Sequence, residues 1–434
     1  MHGPDTAAIA VIAGCVVVWG LVSARLERLN ITAPIAFVVL GLAVTHGPVV
    51  LIHVSLHSST VREIAELALA VVLFADAARV NPRAARADAG LPGRLLGIGL
   101  PLTIGLGVVA AMLASGGDWW IAAVIGAIVA PTDAALGAQI LEDKRVPGRI
   151  RRVLNIESGL NDGIATPFVN LFLAGAVAQE IEHSAGPAAA VAKTLIGVAV
   201  GAGIGLAGAA LLRYTTARGW SGHVSRPLAV LALALLGYAV ALEAGGNGFV
   251  AAFAGGLAFG GLAHGTPAAS LTFTDDVGEL LSLLVWFLFG ATMIVPALSH
   301  FAWPDAIFAV LALTVVRMAP VAVALAGTGL DRSTVAFIGW FGPRGLASVV
   351  FALIAADTLD RPAADRVLAA VVLTVLASVV AHGVTASPLA ARYGAHLSAG
   401  RSRGAADAPG AVRPEHAAAP ELRARSIGVN RRRG

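Results

Sequence analysis

The residues best suited to chemistry are concentrated in two short stretches of an otherwise apolar chain. Residues 130–133 read Ala-Pro-Thr-Asp, and residues 155–163 read Asn-Ile-Glu-Ser-Gly-Leu-Asn-Asp-Gly. Ser158 and Asp162 are four residues apart, so on a helix they share one face and could line a cation path. Hard cations prefer oxygen ligands, and a carboxylate in a partly dry cavity holds a proton more readily than in water. An acid that must release its proton to accept a cation couples the two ions by competition.

Glu157 cannot share this role. It lies five residues before Asp162, which places the two side chains about 140° apart around a helix of 3.6 residues per turn. An ionisable side chain within a membrane costs at least a few kcal/mol, so it needs a partner or a function. Arg317 and Arg344 are the only cations predicted to lie deep within the membrane, away from the ends of the spans, and spacing alone does not choose between them as the partner of Glu157.

Two spans are interrupted at similar depths. Pro131 lies within the fifth span beside Asp133, and residues 342–345 of the twelfth span read Gly-Pro-Arg-Gly. Proline removes a backbone donor and breaks the helix, and freed backbone groups are tolerated at membrane depth only where they face protein or water. The pattern predicts an inverted repeat in which two discontinuous helices cross near the midplane. Two unrelated proline kinks are the alternative.

The composition predicts that transmembrane helices position these residues. Of the 434 residues, 57% are hydrophobic and 13% charged, with a mean hydropathy of +0.81. Soluble proteins carry about 25% charged residues, so the chain is predicted to be a polytopic, all-α membrane protein. Continuous apolar runs argue against a β-barrel. Cys15 is the single cysteine, which excludes an intrachain disulfide and a cysteine metal cluster.

Thirteen transmembrane helices are predicted, at about 7–23, 31–52, 61–79, 93–115, 119–141, 153–178, 188–212, 226–243, 248–263, 277–298, 305–327, 334–356 and 367–389. With the N-terminus outside, most of the 30 lysines and arginines fall in inside loops or the tail. The exceptions outside are Arg62, Lys193, Arg361 and Arg366. The positive-inside rule therefore predicts an outside N-terminus and a cytoplasmic C-terminus.

Two domains are predicted. Residues 1–392 form the transmembrane domain, and residues 393–434, rich in Gly, Ala, Pro and Arg, form a short basic cytoplasmic tail that is expected to be disordered and to lie near anionic lipid headgroups. No P-loop is present, which argues against a primary pump. No nucleophile and base lie at workable spacing in the spans, so an enzyme is not expected, and no cofactor is predicted.

The combined motifs resemble the NhaP/NHE-type sodium/proton antiporters, the first monovalent cation:proton antiporter family. The resemblance rests on the Glu-Ser-Gly-Leu-Asn-Asp run at 157–162, Pro-Thr-Asp at 131–133, Gly-Pro-Arg-Gly at 342–345 and Gly-Asn-Gly-Phe-Val-Ala-Ala-Phe at 246–253. The resemblance covers essentially all of the predicted membrane region. It implies an antiporter fold with inverted repeats.

The resemblance also implies residue roles. Asp162 is expected to bind sodium or a proton in turn, and Asn161 to be its neutral neighbour, which in the family accompanies electroneutral exchange. Sodium is expected at Asp162, Ser158 and Thr132, with Thr132 contributing its backbone carbonyl. Asp133 is expected at the helix crossover, where it would offset the positive helix N-termini or join the site. Asp76 is expected to be a further site acid or part of an interior hydrogen-bonding network. Glu157 is expected to pair with Arg344, or failing that with Arg317.

The function expected from this resemblance is exchange of cytoplasmic Na⁺, or Li⁺ or K⁺, for external H⁺, serving pH and sodium homeostasis. A K⁺/H⁺ antiporter on the same scaffold is the first alternative, and a channel or sensor that reuses the fold is the second. The composition suggests a bacterial source, hence the inner membrane, and the resemblance implies a homodimer. No nucleic-acid partner is expected, because the basic residues follow membrane topology.

Overall fold

The computed structural model describes residues 6–80, 90–115, 117–180, 186–262 and 269–406. Every regular element in these ranges is a helix, which confirms the all-α prediction. The first eight are α1 Thr6–Glu27, α2 Ala33–His46, α3 Ser59–Arg79, α4 (Gly90–Arg94, the π-helical turn Leu95–Gly99 and Leu100–Ser115), α5 Trp119–Val129, α6 Ala138–Glu142, α7 Gly148–Glu180 and α8 Gly186–Ala217. The next nine are α9 Ser225–Glu243, α10 Gly248–Leu262, α11 Ala269–Thr292, α12 Ile294–Ser299, α13 Trp303–Leu313, α14 Val315–Ala324, α15 Arg332–Trp340, α16 Leu346–Thr358 and α17 Arg361–Ala406.

Eight helical stretches of the described residues are long and apolar enough to cross a membrane, two of which combine α11 with α12 and α13 with α14, and four shorter helices are also apolar. The chain is therefore a multi-pass membrane protein. Each of the thirteen predicted spans coincides with one helix or with two consecutive shorter helices. The number of crossings, the orientation of the termini and the crossing of two discontinuous helices remain predictions.

The helices pack as two groups. The first helix group contains α2, α3 and α8 to α11, and the second contains α4, α5 and α13 to α17. Helix α7 packs against members of both groups, and α16 extends from the second group to contact α3 and α11 of the first. Helix α7, which carries residues 157–162, and α16, which follows residues 342–345, therefore lie at the boundary between the groups.

Four predicted spans are interrupted in the structure, two of them where prolines indicated it. Helix α5 stops at Val129 before Pro131, and α15 stops at Trp340 before Pro343. The breaks of spans 277–298 and 305–327 at Met293 and Thr314 were not predicted. Thr314 precedes Pro320, and a proline within a helix removes a hydrogen bond and crowds the preceding turn. Pro320 was therefore an overlooked signal of distortion.

The last helix continues past the predicted domain boundary at 392. Helix α17 runs to Ala406, and residues 407–434 of the predicted tail lie outside the described residues. Tyr393 is 6% exposed and stacks on Phe337 of α15, with ring centroids 4.3 Å apart. Its hydroxyl lies 2.8 Å from the Thr334 hydroxyl. The beginning of the predicted tail is thus packed against the membrane domain.

Candidate functional site

The two proline-containing segments meet each other. Residues 130–137 and 341–345 are non-helical, and the Asp133 amide donates to the Pro343 carbonyl at 2.7 Å. The Asp133 carboxylate accepts hydrogen bonds from the amides of Leu346, at 2.9 Å, and Ala135, at 2.7 Å. Leu346 is the first residue of α16, so Asp133 supplies from another segment the oxygen that an N-cap residue usually supplies, and its negative charge opposes the positive helix end.

Glycine allows this close approach. A Cβ atom on Gly345 would collide with the Asp133 carboxylate. A Cβ atom on Gly342 would lie 2.9 Å from the Thr132 methyl carbon and would crowd the Arg317 guanidinium. The two glycines of the Gly-Pro-Arg-Gly motif are therefore required by packing between the segments, because any side chain would push them apart.

Arg344 binds the carbonyl groups that the helix breaks leave without a helical partner. Its side chain is fully buried. Nη1 donates to the carbonyls of Ala130 and Pro131, and Nη2 donates to that of Ala312 at 3.2 Å. These carbonyls lie at the C-terminal ends of α5 and α13, where a cation is favoured by the helix dipole and by unsatisfied acceptors. Arg344 thus ties together two broken helices of the second group.

The partner of Glu157 is Arg317, which corrects the expectation that it would be Arg344. The Arg317 guanidinium donates from Nη1 to Oε1 at 2.6 Å and from Nη2 to Oε2 at 2.9 Å. Both side chains are 3% exposed. The physical reason is that Arg344 is already occupied by carbonyl oxygens, whereas the planar fork of Arg317 fits both carboxylate oxygens. The predicted divergence of Glu157 and Asp162 agrees with this arrangement.

Three polar side chains form a buried cluster between α5 and α7. The Thr132 hydroxyl accepts a hydrogen bond from Asn161 Nδ2 at 2.6 Å and lies 3.0 Å from the Ser158 hydroxyl. All three residues are at most 6% exposed. The Asn161 carbonyl oxygen Oδ1 is buried and has no hydrogen-bond partner among the described residues. The cluster therefore offers hydroxyl and amide oxygens of the kind that hard cations bind.

Asp162 differs from the other acids of the site. It is 9% exposed, and among the described residues its carboxylate has neither a hydrogen bond nor an ion pair. Asp76 of α3 packs beside α7, with its Cβ 3.6 Å from the position that a Cβ on Gly159 would take. The carboxylates of Asp76 and Asp133 are close enough to interact electrostatically with Asp162. Asp162 is thus a buried carboxylate without a fixed partner, at the boundary between the helix groups.

A polar group behind the Arg344 segment was not predicted from the sequence. The Ser378 hydroxyl of α17 accepts from the Arg344 amide at 2.7 Å. His382, 3% exposed, lies with Nε2 2.8 Å from the Trp340 carbonyl at the end of α15. Its Nδ1 lies 2.8 Å from the Ser378 carbonyl. The signal was present, since serine and histidine four residues apart share one face of an apolar helix.

Interrupted helices around a buried acid in a helical membrane protein are typical of secondary transporters. Residues 11–392 match the family described as sodium/hydrogen exchanger, transmembrane, and the chain belongs to that family. The predicted resemblance to this family is confirmed. The family consists of transporters rather than enzymes, and its transporters are monovalent cation/proton antiporters.

Two curated relatives are antiporters. The chain is 28% identical over 294 residues to the K⁺/H⁺ antiporter NhaP of Alkalimonas amylolytica, covering 67% of this chain and 50% of the relative. It is 25% identical over 251 residues to the probable Na⁺/H⁺ antiporter C3A11.09 of Schizosaccharomyces pombe, covering 54% of this chain and 33% of the relative. The chain therefore matches half or less of the length of these relatives.

The fold is similar to that of the sodium proton antiporter MjNhaP1 from Methanocaldococcus jannaschii. Against its structure at pH 8 the TM-score is 0.73 with 20% identity, covering 89% of this chain and 98% of that one. A second structure of the same antiporter gives a TM-score of 0.69. The predicted antiporter fold is confirmed by this similarity.

Proposed function

We propose that the protein exchanges a cytoplasmic monovalent cation for an external proton by competition at Asp162. The observation that carries the proposal is the contrast among the buried acids. Asp133 caps α16 and Glu157 is held by Arg317, whereas the Asp162 carboxylate lacks such a partner among the described residues and lies on the same helix as Ser158 and Asn161. A carboxylate in this setting is available to bind either a proton or a cation.

The cation site is proposed at Asp162, Ser158 and Thr132, with the Thr132 carbonyl as a ligand and Asp76 as a further acid of the pathway. Asn161 places a neutral amide beside Asp162, which supports electroneutral exchange because one carboxylate exchanges one proton for one cation. Sodium is the proposed substrate, with lithium able to replace it. Potassium is the second candidate, and the relative named as a K⁺/H⁺ antiporter favours it.

We further propose a bacterial inner-membrane location, with the N-terminus outside and the C-terminus cytoplasmic, and a role in pH and sodium homeostasis. This orientation rests on the distribution of lysine and arginine. A homodimer is proposed from the family resemblance alone. A division between the transmembrane domain and a basic cytoplasmic tail near residue 392 stays a proposal, and the residues just after it continue α17 and pack against α15 through Tyr393.

The proposal is tested in liposomes with an acidic interior, in which lumenal pH is followed while Na⁺, Li⁺ or K⁺ is added outside. The parent should alkalinise the lumen, and the most effective cation identifies the substrate. Asp162→Asn should abolish the response, whereas Asp365→Asn, a partly exposed acid at the start of α17, should retain it. Clamping the voltage with valinomycin in potassium-balanced buffer should leave the rate unchanged. A folded parent that moves no protons with any cation would contradict the proposal.

A further inference from the structure

The helices flanking Asp162 have a definite direction away from the site. On α16, Leu346 is bonded to Asp133, and Asp357 follows eleven residues later, about 16 Å along the helix at 1.5 Å per residue. On α3, Asp76 lies beside α7, and Arg62 precedes it by fourteen residues, about 21 Å. Arg62 and Asp357 therefore lie at the same end of the helices, which is the end predicted to face outside.

An aromatic layer closes the boundary between the helix groups on this side of the site. Phe351 of α16 packs edge-on against Phe249 of α10, with ring centroids 5.9 Å apart. Phe249 in turn contacts the ring of Tyr238 of α9 at 5.6 Å. The three side chains are 1%, 7% and 8% exposed. They join a helix of the second group to two helices of the first.

An ionic layer lies farther out and joins the same two groups. Arg62 of α3 pairs with Asp357 of α16, and the His57 imidazole lies 3.9 Å from the same carboxylate. Arg62 Nε also donates to Glu66 at 2.7 Å, and Glu66 accepts from the Tyr238 hydroxyl at 2.7 Å. Tyr238 therefore belongs to both layers, with its ring in the aromatic layer and its hydroxyl in the ionic one.

We propose that these two layers form the outer gate of the exchanger, an inference that rests on the proposed function. Alternating access requires that the path from the site to the outside be closed and opened in each cycle. The Arg62–Asp357 pair is partly exposed, at 42% and 34%, and exposed pairs contribute little stability. A contact of this strength biases the two states by up to about five-fold, which favours closure and still permits opening.

The test measures access to the site rather than transport. Cys15, the only native cysteine, is replaced in Cys15→Ala, and Asp162→Cys then supplies a single reporter thiol. A membrane-impermeant methanethiosulfonate is applied from one side of oriented vesicles. In this background Arg62→Gln and Asp357→Asn should each raise the rate of labelling from outside by about two- to five-fold and lower the rate from inside. The charge exchange Arg62→Asp with Asp357→Arg should bring the rate back towards that of the parent, short of full restoration because it removes the Arg62–Glu66 hydrogen bond.

A matched control lies at the same end of the molecule. His300 and Asp365 form a partly exposed pair at 3.5 Å, but it joins the end of α12 to α17, which pack together. Asp365→Asn should leave labelling unchanged from both sides. The gate would be overturned if labelling were unchanged in the gate variants or absent from outside in every variant. It would also be overturned if the labelling rate rose equally on both sides or rose in the control. Labelling does not require ion exchange. A parent protein without antiport activity would therefore refute the proposed function, whereas the labelling rates would still test the gate.

Discussion

The Glu157–Arg317 pair allows a quantitative prediction. The two side chains are 3% exposed and are joined by two hydrogen bonds of 2.6 and 2.9 Å. Two unit charges about 4 Å apart interact by about 4 kcal/mol at an effective dielectric constant of about 20. Removing one member of a buried pair typically costs about 3–5 kcal/mol, because the other charge is left buried without compensation. Glu157→Gln should therefore destabilise the protein by about this amount.

The expected pattern across variants is more specific than the single value. Arg317→Gln should destabilise the protein to a similar degree, whereas the double variant Glu157→Gln with Arg317→Gln should be more stable than the sum of the two losses predicts. Replacing a buried pair by neutral groups removes the uncompensated charge. The apparent melting temperature of the purified protein, measured in one detergent for parent, single and double variants, gives the coupling between the two positions.

The same double-mutant comparison with Arg344 is the control. Arg344 donates to three carbonyl oxygens, so Arg344→Gln should destabilise the protein by leaving these acceptors unpaired, with only weak coupling to Glu157→Gln. If Glu157 couples more strongly to Arg344 than to Arg317, the pairing described above is wrong. An unchanged melting temperature in Glu157→Gln would refute the reasoning that the pair is buried and stabilising.

Two further predictions follow from residues that cap or approach helix ends. Gly345→Ala should destabilise the protein by about 1–3 kcal/mol through overpacking and lower its melting temperature, since the new Cβ collides with the Asp133 carboxylate. In an Asp133→Ala background the same substitution should destabilise the protein less. An equal loss in both backgrounds would contradict the collision. The hydroxyls of Ser333 and Thr334 lower the pKa of Asp331, which caps α15, so its stabilisation is present above the ordinary carboxyl pKa and is lost as pH falls through the lowered value. Asp331→Asn should flatten the acid side of the melting temperature plotted against pH, and an unaltered slope would exclude this contribution.

The sequence predicted the helices well and their interruptions in part. Long apolar runs indicate spans, and these must be helical because unpaired backbone groups are not tolerated in lipid. Prolines indicated the breaks at 130–137 and 341–345. The break at Thr314 was missed because Pro320, six residues later, was overlooked as a signal. The neighbouring Ala312 carbonyl also binds Arg344, a contact between distant segments that the sequence does not reveal. Helical spacing correctly separated Glu157 from Asp162, since this depends on local geometry alone.

The choice between Arg317 and Arg344 could not be predicted, and the reason is general. Both arginines were plausible partners for one buried acid, and the selection depends on which guanidinium is already occupied in three dimensions. Arg344 is occupied by the carbonyls at the ends of α5 and α13, and a sequence does not reveal carbonyl groups that lose their helical donors. For Ser378 and His382 the spacing indicated a shared helix face, but not their partners, which are the backbone of the Arg344 segment and the end of α15.

The interrupted helices explain why so many charges lie within this protein and why few of them are free. Each break creates unpaired carbonyls at a negative helix end and unpaired amides at a positive one. Arg344 donates to the unpaired carbonyls and Asp133 accepts from the unpaired amides. These charged side chains stabilise the fold and could not exchange ions without weakening it. Asp162 lies on the continuous helix α7, where no helix end requires its charge. The breaks thus surround the site with fixed polar groups, while the acid proposed to exchange ions remains on an unbroken helix and keeps its charge available.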